Sequence, residues 1–558
     1  MRGMPLLVLI ALSPLLRANP TDELLRLVPA EATVCFIAQD LRVHAARTQA
    51  SPFADWVERS PWGKNFAASE DYQRLLKGQG KIAETLGVKV EALRDGIFGD
   101  AVVYAYLPGP AGKPEDDAGI FMTRAKDAEL LARMVAKLNE GQKQTGEVLR
   151  VVERTHAGST YFAREKPEAR NDFYFVDGGL LFYSSRERPM LLALERKAKA
   201  AVEKEVPLFA QARKRLGFER AAFAALFAPR SIDAELKAVS GVLPNEDARA
   251  FVQQFAKFWA TVEAVGLALE LDAHVEISLG LVSKVPTAEP AASALWSAVP
   301  ADAMLAITGK IRWNELAETA RAFLGEASSA KFQQWLDQSI APIVGREMLP
   351  KLLAGIGPDA GAWLVPPAKD SKAFLPAFAL AIRIPTIESA DAKLRDTLRG
   401  GFDFLVQAHR VEHNRTHADQ FDTETEKFGE RRLTVVSNGR ALPAGVSLAY
   451  GLCEEFFVLG SNPQSVGGFP KEVKADAKHA GLLVRFSASR TVKYLREHGK
   501  ALSVALAEKS GKDAAELERE FAALSNTLEL FESWELRATT RGELTKYTWK
   551  IEFIKPLK

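Results

Sequence analysis

Cysteine is nearly absent from this chain: Cys35 and Cys453 are the only two in 558 residues. That scarcity excludes a disulfide framework as the main source of stability, and with it four-cysteine zinc sites and CxxC redox pairs. Each cysteine lies in an apolar, strand-like segment, so the expected state is two buried free thiols. An excess of charge of one sign is missing too. Arg2 and Arg17 belong to the first 18 positions, which leaves 71 of the 73 basic residues to face 71 acidic ones. Such parity gives no reason to expect a nucleic acid partner. No apolar run beyond the N-terminus reaches the roughly 18 residues that suggest a membrane span, so no transmembrane segment is expected in the mature chain. Also lacking are GxSxG, a P-loop and HExxH, the short patterns that announce a serine hydrolase, a nucleotide site or a zinc protease.

What is present is a composition with 47% hydrophobic and 26% charged residues, enough apolar material to build cores without metals or disulfides. The length predicts more than one domain. The N-terminus, MRGMPLLVLIALSPLLRANP, sets Arg2 before an apolar run from Pro5 to Leu16. A run this short fits the central region of a secretory signal peptide, with cleavage expected after Ala18. The protein is therefore expected to be exported, to the periplasm or the extracellular space.

The rest of the chain reads as one pattern written twice. Val28-Pro29-Ala30-Glu31-Ala32 returns as Val299-Pro300-Ala301-Asp302-Ala303, and further blocks follow in the same order. GIFGDAVVYAYLP from Gly96 answers to GIGPDAGAWLVPP from Gly355, each leading into a Pro/Lys/Asp-rich loop and another apolar strand. An amphipathic helix over DAELLARMVAKLNEG, closed by Gly141, answers to one over ADAKLRDTLRGG that ends at Gly400-Gly401. Asp177-Gly178, between two aromatic-rich runs, predicts a hairpin with a type I′ turn. Ser185 and Ser461 sit where a hydroxyl can cap a helix or turn. FAALFAPRS and LLVRFSASR pair Phe227 with Phe486 and Arg230 with Arg490. The pattern predicts an α+β protein of two homologous units, each a mainly antiparallel sheet with inserted amphipathic helices. After the signal peptide (1–18), the first unit spans 19–283, a Pro/Ala-rich linker 284–294, and the second unit 295–558.

With its VPA-acid-Ala opening, GDA strand, DGG hairpin and tandem layout, the chain resembles a family of uncharacterised bacterial exported proteins classed as a domain of unknown function. Members begin with a PADA- or PADT-like turn into the first strand; Glu31 departs from the commoner Asp. The resemblance implies export and an α+β fold, and it supplies no catalytic residues.

The densest group of potential ligands is HRVEHNRTH. His409 and His413 stand four residues apart, the spacing that lets two imidazoles on one helix face chelate zinc or nickel. His417 lies eight residues from His409, about 12 Å along a helix, too far to share one shell. This pair is the candidate metal site, against the plainer reading of partly exposed structural histidines. GQGKIA from Gly78 imitates a dinucleotide fingerprint but follows helical sequence, so a helix-ending loop is expected there. Ser328 and Lys331 spell SxxK without a KTG partner and read as the first turn of a helix. Trp56, Trp62 and Tyr72 either line a groove or anchor a core through SPF and SPW helix starts, and core anchoring is preferred. No catalytic residue and no cofactor is assigned. The expected function is non-enzymatic binding of a ligand or protein partner on a duplicated scaffold. The alternatives are a hydrolase-like enzyme with scattered residues and a structural protein of the cell envelope.

Overall fold

The computed structural model describes residues 19–50, 54, 58–59, 61–109, 113–199, 206–271, 274–340, 355–368, 373–384, 392–438, 442–443 and 446–554. The expected signal peptide and Trp56 lie outside the described residues. The fold mixes helix with a large antiparallel sheet, and no described helix is long and apolar enough to cross a membrane. Contacts divide the chain into two compact units. The first draws on positions up to Ala50, Pro61–Ser231 and Glu263–Asp272; the second draws on Ile232–Val262 and on the chain from Ala273 onwards.

The first unit holds β1 (Val34–Gln39), β2 (Ala101–Leu107), β3 (Ala118–Arg124), β4 (Arg150–His156), β5 (Ser159–Glu165), β6 (Asp172–Asp177), β7 (Leu180–Ser184), β8 (Phe223–Phe227) and β9 (Val262–Leu271). They lie in the order β4-β5-β6-β7-β3-β2-β1-β8-β9, every neighbour antiparallel. Alternation along each strand decides which side faces the core. In β1, Cys35 and Ile37 are buried while Phe36 is exposed; in β2, Val103 and Ala105 are buried while Tyr104 is exposed. Three helices pack on the buried side: α1 (Pro20–Leu25) on β2 and β3, α4 (Glu187–Lys199) on β6 and β7, and α5 (Leu208–Arg215) on β8. On the opposite side, α2 (Glu70–Leu86) and α3 (Ala128–Gln144) share a core with Tyr174 and Leu181.

The second unit holds β10 (Val275–Ser283), β11 (Leu305–Lys310), β12 (Asp359–Val365), β13 (Ala377–Arg383), β14 (Asp422–Phe428), β15 (Arg431–Ser437), β16 (Leu448–Cys453), β17 (Phe456–Gly460), β18 (Leu482–Ser487), β19 (Phe531–Arg541) and β20 (Leu544–Phe553). Their order is β14-β15-β16-β17-β13-β12-β11-β18-β19-β20-β10, again antiparallel throughout. Both cysteines are free and buried. Burial pushes the Cys453 thiol up to about 11, while the charge of Arg431 works the other way, and burial raises Cys35 further.

Several local features differ from the sequence-based expectation for identifiable reasons. The glycines read as helix stops do not stop helices. α3 runs through Gly141 to Gln144 and turns at Gly146 (φ +76°), and Gly78 and Gly80 sit inside α2, which ends at Gly87 (φ +66°). The helix expected to close at Gly400-Gly401 continues as α8 (Ala392–Thr416), because Phe402 just beyond packs edge-on against Tyr450 and Phe457. A glycine ends a helix only where the backbone turns left-handed; elsewhere tertiary packing outweighs its ~1 kcal/mol penalty. The β6–β7 hairpin forms, but its turn is Gly178-Gly179 and only Gly178 has positive φ (+55°), whereas a type I′ turn needs two such residues. Ser185 and Ser461 cap no helix. Ser185 Oγ accepts from the Gly119 N–H at 3.1 Å and Ser461 Oγ from the Phe378 N–H at 3.0 Å, each tying a strand end to its neighbour. Ser328, by contrast, stands as expected in the first turn of a helix, α7 (Glu326–Trp335), where it donates to Asp247 Oδ2 at 2.6 Å.

One buried group in the second unit sets a pH dependence. His479 lies 5.6 Å, ring to ring, from Trp296. Burial first, then the charges of Arg485 and Lys478, holds its imidazole below the ordinary value, against the pull of Asp476. A group depressed in the folded state takes its proton more readily when unfolded. Its contribution to stability is thus full above about pH 6.5 and is lost as the pH falls through the lowered folded value. In urea denaturation between about pH 5 and pH 7, wild type should lose stability toward acid more steeply than His479→Gln. Parallel slopes for the two proteins would remove His479 as the cause.

Candidate functional site

The histidine run occupies the end of α8. His409 and His413 ring centroids are 6.4 Å apart, while His413 and His417 stack in parallel at 4.1 Å. His413 also meets the edge of Phe421 and turns Nε2 toward Asp419 Oδ1 at 3.4 Å. Burial works to raise the Asp419 carboxyl, but a backbone hydrogen bond, the His413 charge and the Asn438 amide together hold it below the usual range. Among the described residues, no group of three or more His, Cys, Asp or Glu is placed to hold a metal ion.

The arrangement that draws charge together lies elsewhere, in the first unit. A cavity of about 810 Å³ opens among α1, the end of α4 and α5. Arg213, on the second turn of α5, lines it at 2% exposure. The amphipathic pattern of α5 brings this guanidinium inward: Phe209 and Ala212 on the same face are buried, and Arg213 follows them into the core. There it donates to Asp22 Oδ1 at 2.8 Å, to Gln39 Oε1 at 2.6 Å and to the Glu219 carbonyl at 2.9 Å. Gln39, the last residue of β1, is held in turn by Thr21 Oγ1 at 3.1 Å and donates to the Glu219 carbonyl at 2.6 Å. A buried cation requires such partners, since an unpaired one would be strongly destabilising. One donor is left over: among the described residues Arg213 Nε has no partner.

Around this floor the walls are basic. Arg26, Arg196, Lys199, Arg213 and Lys214 face only Asp22 and Glu219. Arg196 is anchored by donating to the Val28 carbonyl at 2.8 Å. Arg26, Lys199 and Lys214 stand on exposed positions without a carboxylate partner among the described residues. The N-terminus of α5 belongs to the same wall. Its N-cap is Pro207, with no side-chain cap among the described residues, so the N–H groups of the first turn lie beside Leu208 and Ala210 at the cavity. Uncapped helix N–H groups and surplus cations favour an anion.

A second cavity in this unit, about 640 Å³, carries charge of both signs. Lys166 pairs with Asp172 inside it, and Asp117 accepts from the Gly109 N–H at 2.7 Å and from Tyr106 at 2.5 Å. Those two contacts hold the Asp117 carboxyl below its usual range. Its charges already answer one another.

No protein-family model, curated protein or solved structure matches this chain.

Proposed function

We propose that this is an exported, non-enzymatic binding protein, akin to the bacterial family its opening resembles, which takes an anionic ligand in the cavity of the first unit. The observation that carries the reading is Arg213: a nearly fully buried guanidinium whose Nε has no partner among the described residues, beneath walls whose cations outnumber their carboxylates five to two. Exported placement, in the periplasm or outside the cell, rests on the Arg2-to-Ala18 segment.

The scaffold is read as a tandem duplication. Each strand from β1 to β9 has a counterpart from β11 to β19 in the same chain order and the same sheet position. Finer details repeat as well. The Ala228 N–H donates to the Thr33 carbonyl at 2.8 Å, as the Ser487 N–H does to the Met304 carbonyl. The reciprocal pair of Ser185 with Gly119 recurs as Ser461 with Phe378. Independent origin of so many matched positions is a poorer account than copying.

The copies differ where the cavity lies. The spacing of the two VPA openings aligns Arg26 with Ser297, and the second copy carries only Pro463–Gly467 and a 3₁₀ turn, Ala477–His479, where the first has α4 and α5. Ligand binding is thus assigned to one copy. Calorimetric titration of the full chain with inorganic phosphate at low salt tests the reading. The exposed double substitution Arg26→Glu/Lys214→Glu should weaken binding by at least about tenfold, with a smaller salt dependence. Equal affinity in the double variant would overturn the assignment.

A further inference from the structure

Resting on the reading of the cavity as an anion site, we infer that its ligand is an organic anion, an acidic head carrying an apolar body, and not a bare inorganic ion. Size is the first argument. About 810 Å³ is room for roughly 25 waters at ~30 Å³ each, several times what a single phosphate or sulfate displaces, and it falls in the range of sites for small organic molecules. An inorganic ion alone would leave most of the space to solvent.

The lining is the second argument. The apolar residues gather on the approach to α5, where Val206, Pro207 and Leu208 follow one another with Ala210 two residues on. Val206 is 61% exposed and Leu208 41% exposed. Large apolar side chains held open beside a charged floor are the arrangement that receives a hydrocarbon or aromatic group. Head and body sites are also adjacent. Leu208 is the first residue of α5 and Arg213 lies five residues on, about 7.5 Å along the axis. A head bound at the uncapped N–H groups and Arg213 therefore leaves its substituent beside Val206 and Leu208.

The test compares hexyl phosphate, inorganic phosphate and 1-hexanol by titration calorimetry on the full chain at the same pH and salt. Hexyl phosphate should bind at least tenfold more tightly than inorganic phosphate, with hexanol far weaker than either. Val206→Ser/Leu208→Ser, which alters only exposed positions, should remove most of the advantage of hexyl phosphate over inorganic phosphate; an undiminished advantage would overturn the apolar body site. If both phosphates bind equally, the organic body is overturned while the anion site stands. If neither phosphate binds, the anion reading itself falls and this inference with it.

Discussion

Arg213→Met should unfold more easily than wild type by about 3 kcal/mol in urea denaturation, the low end for breaking a buried ion pair. The low end applies because the partners are not all abandoned. The Gln39 oxygen keeps Thr21 as donor, the Glu219 carbonyl keeps the Gln39 amide, and the Asp22 side chain is 46% exposed and can turn to water. What is lost is a set of charge-assisted hydrogen bonds inside the core, each stronger than a neutral one. Arg213→Lys should recover only part of the loss, since an ammonium cannot span Asp22, Gln39 and the Glu219 carbonyl as the planar guanidinium does. Lys214→Met, on the next residue but exposed, should stay within about 0.5 kcal/mol of wild type. A loss at Arg213 no larger than that at Lys214 would mean that the buried network holds nothing together.

The contrast between these neighbours explains what could be read from the sequence. Strands were legible because alternation of side chains is local: Cys35 and Ile37 inward with Phe36 outward is visible in six residues. The antiparallel pairing was legible for the same reason, since neighbouring alternating runs joined by a turn or loop announce hairpins. Helix ends were less so, because the ending glycines, Gly87 and Gly146, differ from the merely tolerated ones, Gly78, Gly80 and Gly141, only in backbone conformation. Conformation there follows from packing that a single segment does not contain.

The cavity was not legible at all, and the histidines drew attention in its place. His409, His413 and His417 advertise themselves by spacing within one helix, whereas the residues that gather charge come from three separate segments around Asp22, Arg196 and Arg213. A chain of nearly balanced charge hides a local surplus. The signal available is the run of basic residues in LERKAK and ARKRLG, two stretches that the fold brings to the lining of one cavity. Arg213 in particular sits at a position where the apolar face of α5 continues, and only the presence of Gln39 and Asp22 across the core tells it from a solvent-facing arginine.

In the second unit, removal of one buried aromatic ring should have the largest effect of any single substitution considered. Trp296→Ala should lower stability by about 4 kcal/mol and the melting midpoint by roughly 10 °C. Trp296 is 4% exposed and belongs to the main core of its unit with Leu295, Trp363 and Phe469. Its indole N–H donates to the Leu482 carbonyl at 2.9 Å, and the Arg485 guanidinium lies 5.2 Å from its ring. Truncation therefore opens a void, strips a carbonyl of its donor and removes the aromatic face beneath a cation. Trp296→Phe separates these terms: it keeps most of the packing, and a loss of only about 1 to 2 kcal/mol would assign the larger share to the filled volume. By the alignment of the VPA openings, Leu25 stands where Trp296 does. Both side chains are buried, and the indole of Trp296 lies against His479. Trp296→Ala opens a void among apolar core residues and creates no basic lining, so the variant should melt early and bind inorganic phosphate as wild type does. A new phosphate site in that variant would mean that an apolar void alone suffices to take the anion, against the part given to the basic lining of the first unit.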